Sequence, residues 1–211
     1  MEKDDFAKLL DQPQLLKQIF LTNTGHISQD FLGGIESSIL TWLGELPSSQ
    51  RAYFCSEPQL SWDFMQEKTR IKLLNSQQLS ALALILGATL HAKELSVVVL
   101  RDERKQCQQE LGAEIFDFAI KRGQFYVGRI GKVFSTFEPS LSLPKRCQRH
   151  GWIVLAGFDA DSSWLNLLEK LAGFNIQLPD FLEEISEQLW QLCKKLLLKE
   201  VDPTCQLFFN S

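Results

Sequence analysis

The sequence predicts a mainly α-helical, compact multi-helix domain, and three observations carry that prediction. Apolar residues recur by threes and fours over long stretches, most clearly at Leu182, Ile185, Leu189, Leu192 and Leu196. Helix start and stop signals bracket such stretches: Pro58, Ser76 and Pro179-Asp180 at starts, Gly112, Gly123 and Gly173 at stops. With 45% hydrophobic and 23% charged residues, the chain can bury enough apolar surface to offset the entropy of ordering, which excludes wholesale disorder. At 211 residues a single domain over 1–211 suffices, with sub-lobes 1–57 and 58–211 as the alternative division.

Asp5 to Phe20 has a helix-like apolar pattern that Pro13 breaks into two short pieces. Ser28 to Leu46 places Phe31, Ile35, Ile39, Trp42, Leu43 and Leu46 at helical spacing and stops at Pro47. Pro47 to Pro58 reads as a surface connection anchored by Tyr53 and Phe54, which sets off a smaller N-terminal lobe. Pro58 opens a helix with Leu60, Phe64, Ile71 and Leu74 as its stripe. Ser76 then suits the N-cap of a helix through Leu79, Leu82, Leu86 and Leu90 whose apolar side chains point nearly all round, a pattern that belongs in the middle of a fold. That apolar run is interrupted by Ser80, Gly87 and Thr89 and falls far short of the ~20 residues that span a bilayer.

From Lys93 a short helix and a strand fit Val97, Val98 and Val99 equally well. Asp102 to Leu111 is a polar helix ending at Gly112, and Ala113 to Arg122 a second ending at Gly123, each glycine suiting a left-handed cap. Residues 124–137 fit either a short β-hairpin or a continuing helix, with Gly128 and Gly131 as punctuation. Pro139 and Pro144 bracket a loop, after which Lys145 to Ala156 forms a helix with Trp152, Ile153 and Leu155 inward. Asp161 or Ser162 caps the next helix, which carries Trp164, Leu165, Leu168 and Leu171 and stops near Gly173. Asp180 with Glu183 then reads as a capping box for the last and clearest helix, and Lys194, Lys195 and Lys199 near its end complement the dipole.

Chemistry is sparse along this chain. The cysteines Cys55, Cys107, Cys147, Cys193 and Cys205 stand singly, without zinc spacing, and read as reduced structural thiols. His26, His91 and His150 lie far apart, and solvated or core-edge positions suit them better than a pairing of His91 with a cysteine. No nucleophile with its base, phosphate loop or metal cluster has a recognisable spacing, so no catalytic, cofactor-binding or metal residue is assigned and the chain reads as a non-enzyme. Gly128-Arg129-Ile130-Gly131 matches the Gly-x-x-Gly loop of one RNA-binding module, but turns explain two such glycines without a ligand.

Charge is unevenly distributed. Lys93 to His150 holds 11 Lys or Arg against 7 Asp or Glu, so this middle carries +4 and the remainder −8 of a net −4. Arg101, Arg104, Lys105, Arg146 and Arg149 are the candidate partner-binding residues, a face for an acidic protein, with ordinary solvated helix surface as the plain alternative. Use of the basic segment 93–150 for nucleic acid or a small ligand is the competing function class, and a hydrolase built from Cys107 or Cys147 with His91 comes last. The first residues, Met1-Glu2-Lys3-Asp4-Asp5, lack the basic-then-apolar order of a secretory signal, so a cytoplasmic location is expected. The apolar end at Leu207, Phe208 and Phe209 reads better as a tail folded back onto the core than as an exposed hook.

Two segments carry a family resemblance. One is Leu86-Gly87-Ala88-Thr89-Leu90-His91, followed by Leu95 and Val99-Leu100; the other is Lys199-x-Val201-x-Pro203-Thr204-Cys205 with Phe209 beyond. Weaker agreement lies at Gly151-Trp152, Trp164 and Leu178-Pro179, so the match spans roughly the second half of the chain. In these positions the chain resembles the type III secretion sorting-platform subunit K family (SctK/YscK-like). The resemblance implies a cytosolic, mostly helical, non-enzymatic adaptor of the bacterial injectisome, needed for protein secretion and virulence, with no cofactor. Its implied place is the cytoplasmic face of the inner membrane, without a membrane span of its own and without nucleic acid. There it would bridge the cytoplasmic domain of the inner-membrane ring protein (SctD-like) and the pod protein (SctQ-like), and connect through the latter to the stator and export ATPase.

Overall fold

The computed structural model of the chain describes residues 66–74, 76–159 and 162–209. The helices expected before Pro47, the connection to Pro58, Cys55, His26 and the boundary at 57/58 lie outside the described residues. The described part is mainly helical, and no strand occurs in it. It divides into residues 66–74 with 206–209, and residues 76–205.

In the smaller unit a 3-10 helix, Glu67–Leu73, packs with the short terminal helix Gln206–Phe209. Ile71, Leu74 and Phe209 are buried, so Phe209 is a covered residue and not a hook. An α-helix was expected through Leu74, but the segment is wound more tightly and Leu74 is already extended.

The larger unit is built on α1 (Ser76–Leu90), buried nearly all round from Leu79 onward as its apolar pattern predicts. Two short links follow: α2 (Ala92–Ser96) and α3 (Arg101–Leu111). Between them Val97 to Leu100 form a turn, which resolves the helix-or-strand ambiguity against a strand. Next come α4 (Ala113–Phe118), a π-helical turn Ala119–Gly123, and α5 (Gln124–Val127), then α6 (Ile130–Ser135). The hairpin alternative for 124–137 is overturned by α5 and α6. Val127, Ile130 and Phe134 are buried, and their spacing by three and four favours a helix over the alternation a strand needs.

Gly123 does not cap a helix. Its φ of −54 is helical, and a side chain there would meet Ala92 Cβ at 3.1 Å. The chain instead breaks at Gly128, whose φ of +54 lies in the left-handed region, as do Gly112 and Gly173 at the positions assigned to them as stops. The long helix α7 (Leu143–Ala156) takes Pro144 into its first turn, where a missing N–H costs nothing, so that proline is a helix starter and not a loop bracket. It is followed by α8 (Ser162–Ala172), whose Trp164 Nε1 donates to the Leu155 carbonyl over 3.1 Å. The last long helix is α9 (Phe181–Leu196), extended by a π turn, Leu197–Val201, and a 3-10 turn, Pro203–Cys205. The expected capping box is not formed: Asp180 has helical dihedrals and its side chain makes no cap bond.

The principal joint of the fold is α1 against α7. A Cβ on Gly87 would stand 1.7 Å from the Cys147 carbonyl oxygen, and one on Gly151 would stand 1.8 Å from that of Ala83. The backbones therefore touch, each helix offering an i, i+4 row (Ala83 and Gly87, Cys147 and Gly151) to the other. Around this joint Leu95, Cys107, Leu111, Phe116 and Ala119 close a core cluster with Ala88 and Cys147. In this way α2, α3 and α4 are fastened to the α1–α7 pair.

Candidate functional site

The five candidate cations fall into two groups. Arg101, Arg104 and Lys105 occupy the first turns of α3 and are exposed. Their i, i+3, i+4 spacing puts them on one side of the helix, with Asp102, Glu103 and Gln106 on the other. Arg104 is steadied by the ring of buried Phe116, 5.4 Å from its guanidinium. Arg146 and Arg149, on α7, are spent inside the fold. Arg146 Nη2 donates to Glu94 Oε2 over 2.7 Å and Nη1 to the Ser135 carbonyl over 3.2 Å. Arg149 grips Glu138 with two bonds of 3.1 and 3.0 Å and lies 4.3 Å over the Phe174 ring.

Those arginines flank a polar chain that the sequence reading missed. His91, just past α1, and His150, on α7, are fully buried and meet directly, His91 Nε2 lying 2.8 Å from His150 Nδ1. For these two histidines the expectation of a solvated or core-edge position is thus overturned, and the partner of His91 is a second imidazole and not a thiol. His91 Nδ1 lies 2.6 Å from Glu94 Oε1. His150 Nε2 lies 3.3 Å from Glu138 Oε2 without hydrogen-bond alignment. With both rings neutral, the assignment that keeps a lone pair from facing Glu94 places one proton on His91 Nδ1 and one on His150 Nδ1. His150 Nε2 is then bare opposite Glu138, in agreement with its missing bond.

The electrostatics follow from this geometry. Burial, then the charge of His91, push His150 down to about 4, and Glu138 only partly offsets them. Phe134 and Phe137, with ring centroids 5.5 and 5.0 Å from that of His150, supply the apolar wall. Burial works to raise the Glu94 carboxyl, but hydrogen bonds from His91 and Arg146 prevail and hold it below the ordinary range. Glu138 is placed by an unusual backbone: its φ of +48 makes it the non-glycine in the left-handed region among the described residues. The network thus ties α2, the 136–142 loop and α7 together. Both rings are wholly covered, so they offer no ring nitrogen to a molecule in solvent.

The described thiols are equally enclosed. Burial raises Cys107, Cys147 and Cys193 and lifts Cys205 to about 12, so none of them carries thiolate character at neutral pH. Among the described residues no group of three or more His, Cys, Asp or Glu is placed to hold a metal ion, and no helix is long and apolar enough to cross a membrane. The Gly128-x-x-Gly131 segment joins α5 to α6. Gly128 supplies the positive φ, and a Cβ on Gly131 would stand 2.9 Å from the Leu90 carbonyl, so backbone geometry accounts for both glycines.

The family-motif residues serve the fold. Leu86 and Leu90 are buried, Gly87 makes the helix joint and His91 the imidazole pair. At the other end, Asp202 Oδ1 accepts bonds from Thr204 N (2.9 Å) and Thr204 Oγ1 (2.6 Å), forming the turn that contains Pro203. Gln78 on α1 donates to Asp202 Oδ2 over 2.7 Å and reaches Cys205 Sγ at 3.6 Å. Glu200, beside Val201, takes a 3.0 Å bond from Tyr126 and an ion pair from Arg122. The terminal motif is therefore a latch that returns the chain to α1 and the π turn.

Comparison with known proteins gives one family. The model described as YOP proteins translocation protein K (YscK) matches residues 18–210. No curated protein and no solved structure matches the chain.

Proposed function

The chain belongs to the YscK family, the SctK family of type III secretion, and from that premise we propose that it is a cytosolic adaptor of the injectisome sorting platform. It is a type III secretion component; its proposed task is to bridge the cytoplasmic domain of the inner-membrane ring protein (SctD-like) and the pod protein (SctQ-like). Through the pod it reaches the stator and export ATPase, and it works at the cytoplasmic face of the inner membrane. The observation that carries this reading is the family match over nearly the whole chain. Its physical support is that the buried histidines and thiols hold structure, while α3 presents Arg101, Arg104 and Lys105 outward.

A bridge must hold two partners at once. Purified chain, ring-protein cytoplasmic domain and pod protein are mixed in pairs and all together, then run on size exclusion at physiological salt. The expected result is co-elution in both pairs and a ternary peak. Absence of both pairwise complexes would remove the bridging role and leave only membership of the secretion apparatus.

A further inference from the structure

Resting on the bridging reading, we infer that the turn Val97–Leu100 and the basic side of α3 form one docking surface for an acidic segment of a partner protein that also carries apolar side chains. Val97, Val99 and Leu100 are 71%, 87% and 64% exposed, contiguous in sequence, and directly precede Arg101. Loose apolar residues on a mobile loop would mean little, but this turn is pinned at both ends. Val97 N donates to Glu94 O over 3.2 Å, Val98 N to Leu95 O over 3.3 Å, and Arg104 N to Leu100 O over 2.9 Å. On one side Leu95, and on the other Cys107 and Leu111, are buried in the core cluster, so the exposed side chains stand on a fixed base.

The local sequence also forgoes stability here. Leu100 occupies the N-cap of α3 and makes no side-chain cap bond, at a position where Ser, Thr, Asp or Asn would satisfy a free N–H. The charge of the surface selects the occupant. Arg101, Arg104 and Lys105 lie on the side of α3 away from Asp102 and Glu103, so a partner's carboxylates are attracted to one edge while its apolar residues cover the valines and the leucine. Apolar area supplies lifetime and the basic edge supplies encounter rate and salt dependence.

The test titrates full-length chain against purified ring-protein cytoplasmic domain and against pod protein, each at low and physiological salt, with two double variants. Val97→Ser/Val99→Ser removes the apolar half, and Arg101→Ala/Lys105→Ala removes the charged half while sparing Arg104 on Phe116. Both are exposed changes, and unchanged melting curves verify the fold. The expected result is that each double variant weakens the same one partner by about tenfold or more, leaves the other partner unaffected, and that only the charge variant flattens the salt dependence. Wild-type affinity of both variants for both partners overturns the surface and leaves the bridge standing; failure of wild type to bind either partner overturns both. Dimerisation of wild type that the serine variant abolishes, or binding to phosphatidylglycerol vesicles that the alanine variant abolishes, assigns the surface to a second copy or to lipid and overturns the inference.

Discussion

The α1–α7 joint and the outer side of α3, linked through α2, are built on opposite rules. At the joint, backbone meets backbone at Gly87 and Gly151, and the polar groups nearby are sealed and paired. On α3 the polar residues 101–106 are exposed, and only Cys107 and Leu111 are buried. The family motif falls mostly on the joint and its latch, which hold this chain's fold together. The proposed docking surface falls outside most of that motif, with only Val99 and Leu100 in common.

The comparison is broken hardest at the joint. Gly87→Ala and Gly151→Ala each drive a methyl into a carbonyl of the facing helix, and we expect losses of about 3 kcal/mol or more, at the upper end of overpacking costs. Urea unfolding followed by circular dichroism measures this, and a near-native midpoint would show that the helices can separate without penalty.

Acid comes next. His150 is held near 4 in the folded chain against about 6.5 when unfolded. Between those values the unfolded chain binds a proton that the folded chain refuses, so stability is full above about pH 6.5 and declines as pH falls toward 4, by on the order of 3 kcal/mol. The groups facing this ring are His91, Glu138 and Arg146, with Glu94 behind His91 and Arg149 on Glu138. The depressed Glu94 carboxyl adds a loss of the same sign at lower pH. Unfolding free energy measured from pH 7 to 4.5 should show this slope, and a His150→Leu variant should flatten it. An equally steep slope in that variant would assign it to other groups.

Smaller effects sharpen the contrast. Asp202→Ala unfastens Gln78 and Thr204 together and should cost about 1 kcal/mol, read as a shift in urea midpoint; Gln78→Ala in that background should add little, because the two share one bond. Arg101→Ala/Lys105→Ala should move stability by less than about 0.5 kcal/mol. A larger loss would mean that α3 depends on those charges for its own fold.

Legibility from the sequence follows the same division. The core position of α1 and the seam of α9 were readable because each repeats its apolar signal over several turns. Gly112 and Gly173 were readable as stops because their flanking segments lose periodicity there. Gly123 was not, because a glycine needed for close packing on Ala92 looks the same in sequence as one needed for a left-handed turn. Residues 124–137 stayed open between hairpin and helix because apolar residues at every third or fourth position are interleaved with the exposed Phe125, which mimics alternation. The imidazole pair joins positions 59 apart, a distance over which local periodicity carries no information. A faint signal was present: His91 stands four residues after Gly87 and so extends the α1 row, and His150 directly precedes Gly151 of the α7 row.

The glycine contact between α1 and α7 has a mechanical consequence. Because each notch receives a carbonyl of the facing helix, sliding α7 by one turn would set Cys147 or Leu155 where Gly151 now lies against Ala83, and the side chain would collide with main chain. Sliding is blocked in both directions, as a tenon is held in its mortise.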